Sequence, residues 1–115
     1  MHLSTVAVIF VGGWLVINGL LHDVFVLTSR RGKKYDRDLL RLLMDGHILI
    51  TCGVILLCCY PAIASDQQWA YIISIVVSLS VLIYCAMIFP FLKSIATILL
   101  NIGLLVIMII KLFTW

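Results

Sequence analysis

Four long apolar stretches constrain this chain more than any other feature of its sequence. They cover residues 3–27, 38–60, 69–89 and 94–110, and the second is amphipathic at its start and fully apolar from residue 48. About 20 apolar residues in a helix cross the hydrocarbon core of a bilayer. No alternation typical of membrane β-strands interrupts the stretches. The pattern predicts an all-α integral membrane protein, an antiparallel four-transmembrane-helix bundle with helices over about residues 3–28, 38–60, 69–89 and 93–113.

The composition supports a chain that is solvated by lipid. Its 115 residues are 64% hydrophobic and only 11% charged, whereas a soluble domain carries roughly 25% charged residues. A chain of this size has too much surface for its volume to bury so many apolar side chains. We therefore expect one transmembrane domain over residues 1–115. The first stretch lacks a basic start and a cleavage site of small residues, so we expect it to be a retained helix rather than a signal peptide.

The connections between the stretches are short. They cover residues 29–37, 61–68 and 90–93, and two of them contain a proline. Short connections make sequential helices antiparallel neighbours, which predicts an up-down-up-down bundle. Either Asp36 or Asp38 is expected to cap the start of the second helix, because an aspartate side chain accepts hydrogen bonds from the first free backbone amides.

The distribution of charge predicts the orientation of the bundle. Six of the eight Lys and Arg residues lie between Arg30 and Arg41, the third connection holds Lys93, and the second holds only Asp66. The positive-inside rule then places the first and third connections in the cytoplasm and both termini outside, in the cell (inner) membrane. Anionic lipid head groups are expected to contact Arg30, Arg31, Lys33 and Lys34. An outer aromatic belt would consist of Trp69, Tyr71 and Trp115.

Polar side chains occur at one depth in all four predicted helices. Counted from the basic ends, they lie roughly 6–12 Å inside the membrane at the helical rise. Ionisable residues at such depth are costly and usually mark ligand, ion or proton sites, and a histidine–aspartate cluster can exchange protons near neutral pH. The layer, our candidate ligand or proton site, consists of Asn18, His22, Asp23, Asp45, His47, Tyr84 and Asn101.

Glycine spacing predicts how the first two helices pack. Gly12 and Gly19 are seven residues apart, and so are Gly46 and Gly53. One antiparallel register therefore places Gly12 opposite Gly53 and Gly19 opposite Gly46, and small residues let membrane helices approach closely. The same register brings the polar residues of the two helices to one level.

Three classes of function fit this pattern. The first is a small ligand-, ion- or proton-binding protein or transporter, expected to work as a homodimer or larger assembly because four short helices enclose little space. The second is an accessory or structural subunit of a larger membrane complex. The third is a small redox or metal-dependent enzyme, which is less favoured because no nucleophile or nucleotide-binding motif is present. In a purely structural alternative, Arg41 pairs with Asp45 and the remaining polar groups hydrogen-bond between helices.

Cofactor sites have weaker support. Imidazole and carboxylate suit several divalent metals, and the candidate ligands are His22, Asp23, Asp45 and His47. However, the neighbours His22 and Asp23 diverge by about 100° on a helix. A haem between His22 and His47 would need more space than glycine packing leaves. The basic loop at residues 30–34 is too small to be a nucleic-acid module, so we expect no nucleic-acid partner. Apolar segments hold all four cysteines, which we expect to be packing residues rather than disulfides: Cys52, Cys58, Cys59 and Cys85.

Overall fold

The protein is a bundle of four membrane-length helical spans. The computed structural model describes residues 3–89 and 95–114. In chain order the elements are α1 (Leu3–Thr28), a 3-10 turn (Arg30–Lys33), α2 (Arg37–Cys58), α3 (Tyr60–Ala64), α4 (Gln68–Ile88) and α5 (Ile95–Thr114). Since α3 continues α2, the four spans that are long and apolar enough to cross a membrane are Leu3–Thr28, Arg37–Ala64, Gln68–Ile88 and Ile95–Thr114. The described residues contain no strand, so the all-α four-helix bundle is confirmed and the chain is a small multi-pass membrane protein.

The second span is longer than the sequence predicts. Pro61 was expected to begin the connection, but it lies in the first turn of α3, and the helical path continues to Ala64. Proline is tolerated there because an amide in the first turn has no acceptor within its own helix. The connection shortens to residues 65–67, and Asp66 makes the reversal in a left-handed conformation with φ of 58°.

The start of α2 has a side-chain cap. The carboxylate of Asp36 accepts a hydrogen bond of 2.8 Å from the backbone amide of Leu39. Asp36 is therefore the capping residue, and Asp38 lies inside the first turn, where a negative charge faces the positive end of the helix dipole. The predicted third connection, with Lys93, lies outside the described residues.

The bundle consists of two antiparallel hairpins. α1 packs along α2, α4 packs along α5, α1 also contacts α5, and α2 contacts α4 more sparsely. The central core includes Val8, Leu15, Leu56, Leu104 and Met108, all nearly inaccessible. Large apolar side chains cover much of the outer surface, as expected where lipid is the solvent.

The glycine register predicted for the first hairpin is confirmed. A Cβ atom added to Gly12 would lie 3.1 Å from the carbonyl oxygen of Gly53, and one added to Gly19 would lie 2.5 Å from the carbonyl oxygen of Gly46. Both pairs therefore place backbone directly against backbone, which a larger side chain would prevent.

Candidate functional site

The carboxylate of Asp23 lies over a glycine of the neighbouring helix. A Cβ atom added to Gly46 would collide with Oδ1 of Asp23 and would lie 2.8 Å from the carbonyl oxygen of Gly19. The close packing of α1 and α2 thus holds the Asp23 carboxylate against the backbone of α2. Asp23 lies five residues before the end of α1, which is roughly 8 Å below that end.

His22 faces the same carboxylate from its own helix. Its Nδ1 atom lies 3.5 Å from Oδ1 of Asp23, and the two side chains are 20% and 21% exposed. This separation exceeds that of an ordinary hydrogen bond. Both atoms are buried, and neither has a hydrogen-bond partner among the described residues. The pair therefore keeps unused hydrogen-bonding capacity inside the membrane span.

An open groove of about 420 Å³ lies beside this pair, between α1 and α2. Asp23 contributes a carboxylate to its wall, and the exposed His47 contributes an imidazole from α2. The remaining lining of the groove is apolar and consists of Leu27, Leu40, Leu43 and Met44. The groove therefore combines a charged hydrogen-bond acceptor with an apolar surface.

Asn18 of the predicted layer lies at a different interface, between α1 and α5, and Asn101 lies on α5 one turn from Thr97. The side-chain amide of Asn18 donates to the hydroxyl of Thr97 at 3.1 Å, and the indole N–H of Trp14 donates to the same oxygen at 3.1 Å. The amide of the fully buried Asn101 donates to the carbonyl oxygen of Thr97 at 2.8 Å. Sequence reasoning missed Trp14 and Thr97, although Thr97 lies one turn from Asn101, where a shared face could have been expected.

Tyr84 and Asp45 meet at a third interface, between α4 and α2. The Tyr84 hydroxyl donates to the backbone carbonyl of Asp45 at 3.3 Å and is close enough to the Asp45 carboxylate to interact with it electrostatically. The alternative expectation of an Arg41–Asp45 ion pair is wrong, since these two described side chains do not approach to salt-bridge distance. The predicted layer is thus divided among three helix interfaces, and the groove contains Asp23 and His47 with His22 beside Asp23.

The described residues do not bring the proposed metal ligands together. Among residues 3–89 and 95–114, no group of three or more His, Cys, Asp or Glu side chains could hold a metal ion, so His22, Asp23, Asp45 and His47 do not form such a set. The residues do not fit a haem either, because the backbones of α1 and α2 are in direct contact beside His22 and a porphyrin could not enter between them.

The cysteines and the basic residues of the first connection differ in how far their side chains are exposed. All four cysteines are free thiols; Cys59 and Cys85 are buried, Cys52 is half-buried and Cys58 is exposed. The exposed basic side chains at the first connection include Arg30, Lys33 and Lys34, whereas the side chain of Arg31 lies outside the described part of the chain.

A second polar cluster lies at the opposite end of the bundle, where the sequence predicted only an aromatic belt. Tyr71 is not a belt residue, since it is 1% exposed and its hydroxyl donates to the carboxylate of Asp66. The left-handed turn at Asp66 brings that carboxylate to the inward face of α4. Trp69 is 52% exposed, and Trp115 lies outside the described residues.

Comparisons of the chain with protein-family models, curated proteins and solved structures give no match.

Proposed function

We propose that this membrane protein binds a small ligand with a cationic or hydrogen-bond-donating head, or a proton, in the groove between α1 and α2. The observation that carries the proposal is the Asp23 carboxylate. Its Oδ1 atom is buried, lacks a hydrogen-bond partner among the described residues, and belongs to a residue that lines the groove. A buried carboxylate oxygen without a hydrogen bond is costly, so a bound cation, donor or proton would stabilise the Asp23 carboxylate.

The contrast with the rest of the polar layer supports a binding role for Asp23. Asn18 and Tyr84 donate hydrogen bonds to neighbouring helices, so their polarity is explained by packing between helices. Asn101 donates to a carbonyl oxygen of its own helix, and its buried Oδ1 atom has no hydrogen-bond partner among the described residues. A carboxylate with only a structural role would be expected to have comparable partners. Oδ1 of Asp23 and Nδ1 of His22 form no hydrogen bond among the described residues and face each other at 3.5 Å.

The lining of the groove indicates the chemistry of the ligand. Asp23 would bind an ammonium, another organic cation or an N–H donor, and His47 would add a second polar contact on the opposite wall. The apolar remainder of the groove would bind a hydrocarbon or aromatic part of the same molecule. A proton shared between His22 and Asp23 is the smallest species that fits the same site.

Binding is the minimum function that we infer, and transport is a further step. The interior of the bundle is filled with side chains such as Leu15, Val81 and Leu104. A pathway across the membrane would therefore be formed between copies of the chain, which keeps the homodimer within the proposal. In the proposed orientation, the basic first connection faces the cytoplasm and its cations contact anionic lipid head groups.

The proposal is tested with tetraphenylphosphonium, a hydrophobic organic cation, and the purified protein in detergent. Isothermal titration calorimetry should detect binding to the parent chain, and Asp23→Asn should weaken it at least about ten-fold, since the lost charge–charge contact contributes roughly 1.5–3 kcal/mol. Tyr84→Phe is the matched control, because it removes one hydroxyl from the same polar layer outside the groove.

Proton binding is tested with the parent chain and Asp23→Asn. The NMR signals of the His22 imidazole should differ between the parent chain and Asp23→Asn, because the substitution replaces the carboxylate oxygen that lies 3.5 Å from Nδ1. The proposed function would be contradicted if Asp23→Asn and the parent chain bound the cation with equal affinity and the histidine NMR signals were the same in both proteins.

A further inference from the structure

A second cavity lies at the opposite end of the bundle from the Asp23 groove. It has a volume of about 300 Å³ and opens between the first turn of α1 and the last turns of α5. Because α1 and α5 are antiparallel, this end of the bundle is the one that holds the α1 N-terminus and the α5 C-terminus. The lining consists of Leu3, Ser4, Ile107, Ile110, Lys111 and Thr114.

Ser4 supplies an unused hydrogen-bond donor to this region. The residue is 1% exposed, and its hydroxyl has no hydrogen-bond partner among the described residues. The hydroxyl of Tyr71 lies near it but outside hydrogen-bonding geometry. Fully buried hydroxyl groups in folded proteins are normally hydrogen-bonded, to protein or to another molecule. An acceptor group bound in the cavity would provide the missing partner.

A positively charged side chain lines the same cavity as Ser4. Lys111 contributes an ammonium group from α5, and no carboxylate of the described residues forms an ion pair with it. A hydroxyl donor and an ammonium group together favour an anion with several acceptor oxygens, such as a phosphate.

The other walls of the cavity favour an anion that carries a hydrocarbon chain. Leu3, Ile107 and Ile110 are apolar, and the hydroxyl of Thr114 is already engaged with the carbonyl oxygen of Ile110 at 2.8 Å. The cavity also lies at the end of two membrane spans, at the level where lipid head groups meet acyl chains.

We propose that this cavity binds the phosphate of an anionic phospholipid, with Ser4 and Lys111 contacting the phosphate and the apolar wall contacting the first part of an acyl chain. The proposal is independent of the Asp23 groove, which lies at the other end of the bundle and would bind a ligand of opposite charge. A negative result for one proposal therefore does not contradict the other.

The experiment is native mass spectrometry of the whole chain released from nanodiscs of phosphatidylglycerol or phosphatidylcholine. The parent chain should retain one phosphatidylglycerol under conditions that remove phosphatidylcholine. Lys111→Gln should reduce this retention about ten-fold, as expected for loss of one charge-assisted contact, and Ser4→Ala should reduce it less. Lys111→Arg keeps the charge and should retain most of the binding, which separates a lost contact from a misfolded chain.

The matched control is Lys33→Gln, which removes an exposed cation from the basic connection at the other end of the bundle. It should leave the retained phosphatidylglycerol unchanged. Equal loss in Lys33→Gln and Lys111→Gln would place the lipid elsewhere and overturn the proposal. Displacement of the lipid by millimolar inorganic phosphate would also overturn it, since the cavity would then be a site for a soluble anion.

Discussion

Single polar side chains in this membrane protein have different tasks although the sequence predicts a similar depth for them. Asn18 and Asn101 hydrogen-bond to Thr97, whereas Asp23 lines a groove and has no hydrogen-bond partner for its buried oxygen among the described residues. Residue types are readable from the sequence, but hydrogen-bond partners are not. The hydrogen-bond partner of a side chain depends on how its helix is rotated about its own axis. The local sequence around that side chain does not specify this rotation.

Thr97 provides a test of the structural part of the polar layer. Thr97→Val keeps the side-chain shape but removes the oxygen that accepts from Trp14 and Asn18, and leaves both donors unpaired in a partly buried site. We expect the free energy of unfolding to fall by about 1–2 kcal/mol. Reversible unfolding in mixed micelles, followed by circular dichroism, measures the change.

Thr28 offers the matched control for this substitution. Its hydroxyl donates to carbonyl oxygens of its own helix and is exposed, so Thr28→Val should change the free energy of unfolding by less than about 0.5 kcal/mol. Thr97→Ser keeps the acceptor oxygen and should be less damaging than Thr97→Val. If Thr97→Val and Thr28→Val were equally stable, the hydrogen bonds at Thr97 would not hold α1 to α5.

The helix pairs show how much of the packing a sequence pattern can predict. The glycine register of α1 and α2 was predicted and is confirmed, because matched spacings of small residues allow only a few antiparallel alignments. The extension of the second span through Pro61 was not predicted, since a proline can either end a helix or begin its next turn. The capping role of Asp36 was one of two predicted alternatives.

Gly46 connects this helix pair to the candidate site. A methyl group at Gly46 would collide with the Asp23 carboxylate and with the backbone of Gly19, so Gly46→Ala must separate α1 from α2 or displace Asp23. We expect a loss of about 1–3 kcal/mol in unfolding free energy, as is typical of an overpacked core. Binding of the cation probe should weaken as well, because the carboxylate moves.

The control for Gly46→Ala lies on the same hairpin. A Cβ atom added to Gly13 meets no heavy atom within 4 Å, so Gly13→Ala should be neutral or slightly stabilising through higher helix propensity. The two variants are compared by unfolding in mixed micelles and by titration with tetraphenylphosphonium. A Gly46→Ala protein as stable as Gly13→Ala would contradict the direct backbone contact of the two helices.

The orientation of the whole molecule follows only from charge and remains a prediction. Lys33→Cys, made in a chain whose four cysteines are replaced by alanine, places a single thiol in the basic connection. If that connection is cytoplasmic, a membrane-impermeant maleimide added to intact cells should not label it, and labelling should appear only after the membrane is opened. Gln67→Cys, in the second connection, should be labelled in intact cells. The reverse pattern would invert the proposed orientation.

Assembly is also a property of the whole molecule. The homodimer and the alternative of an accessory subunit in a larger complex both stay predictions. Much of the outer surface is apolar, which lipid alone explains. The mass of the detergent-solubilised particle and the presence of a stoichiometric co-purified protein would distinguish these two assemblies.

Hydropathy sufficed to predict four spans, because lipid solvation acts on each stretch of about 20 residues independently, and the short connections sufficed to predict their antiparallel order. The contacts between helices determined which polar groups meet. They divided the polar layer among three interfaces, left Asp23 beside an open groove, and buried Tyr71 against Asp66. The physical reason is that apolar helices can rotate in lipid at little cost in hydropathy, so only contacts between helices determine which polar groups meet.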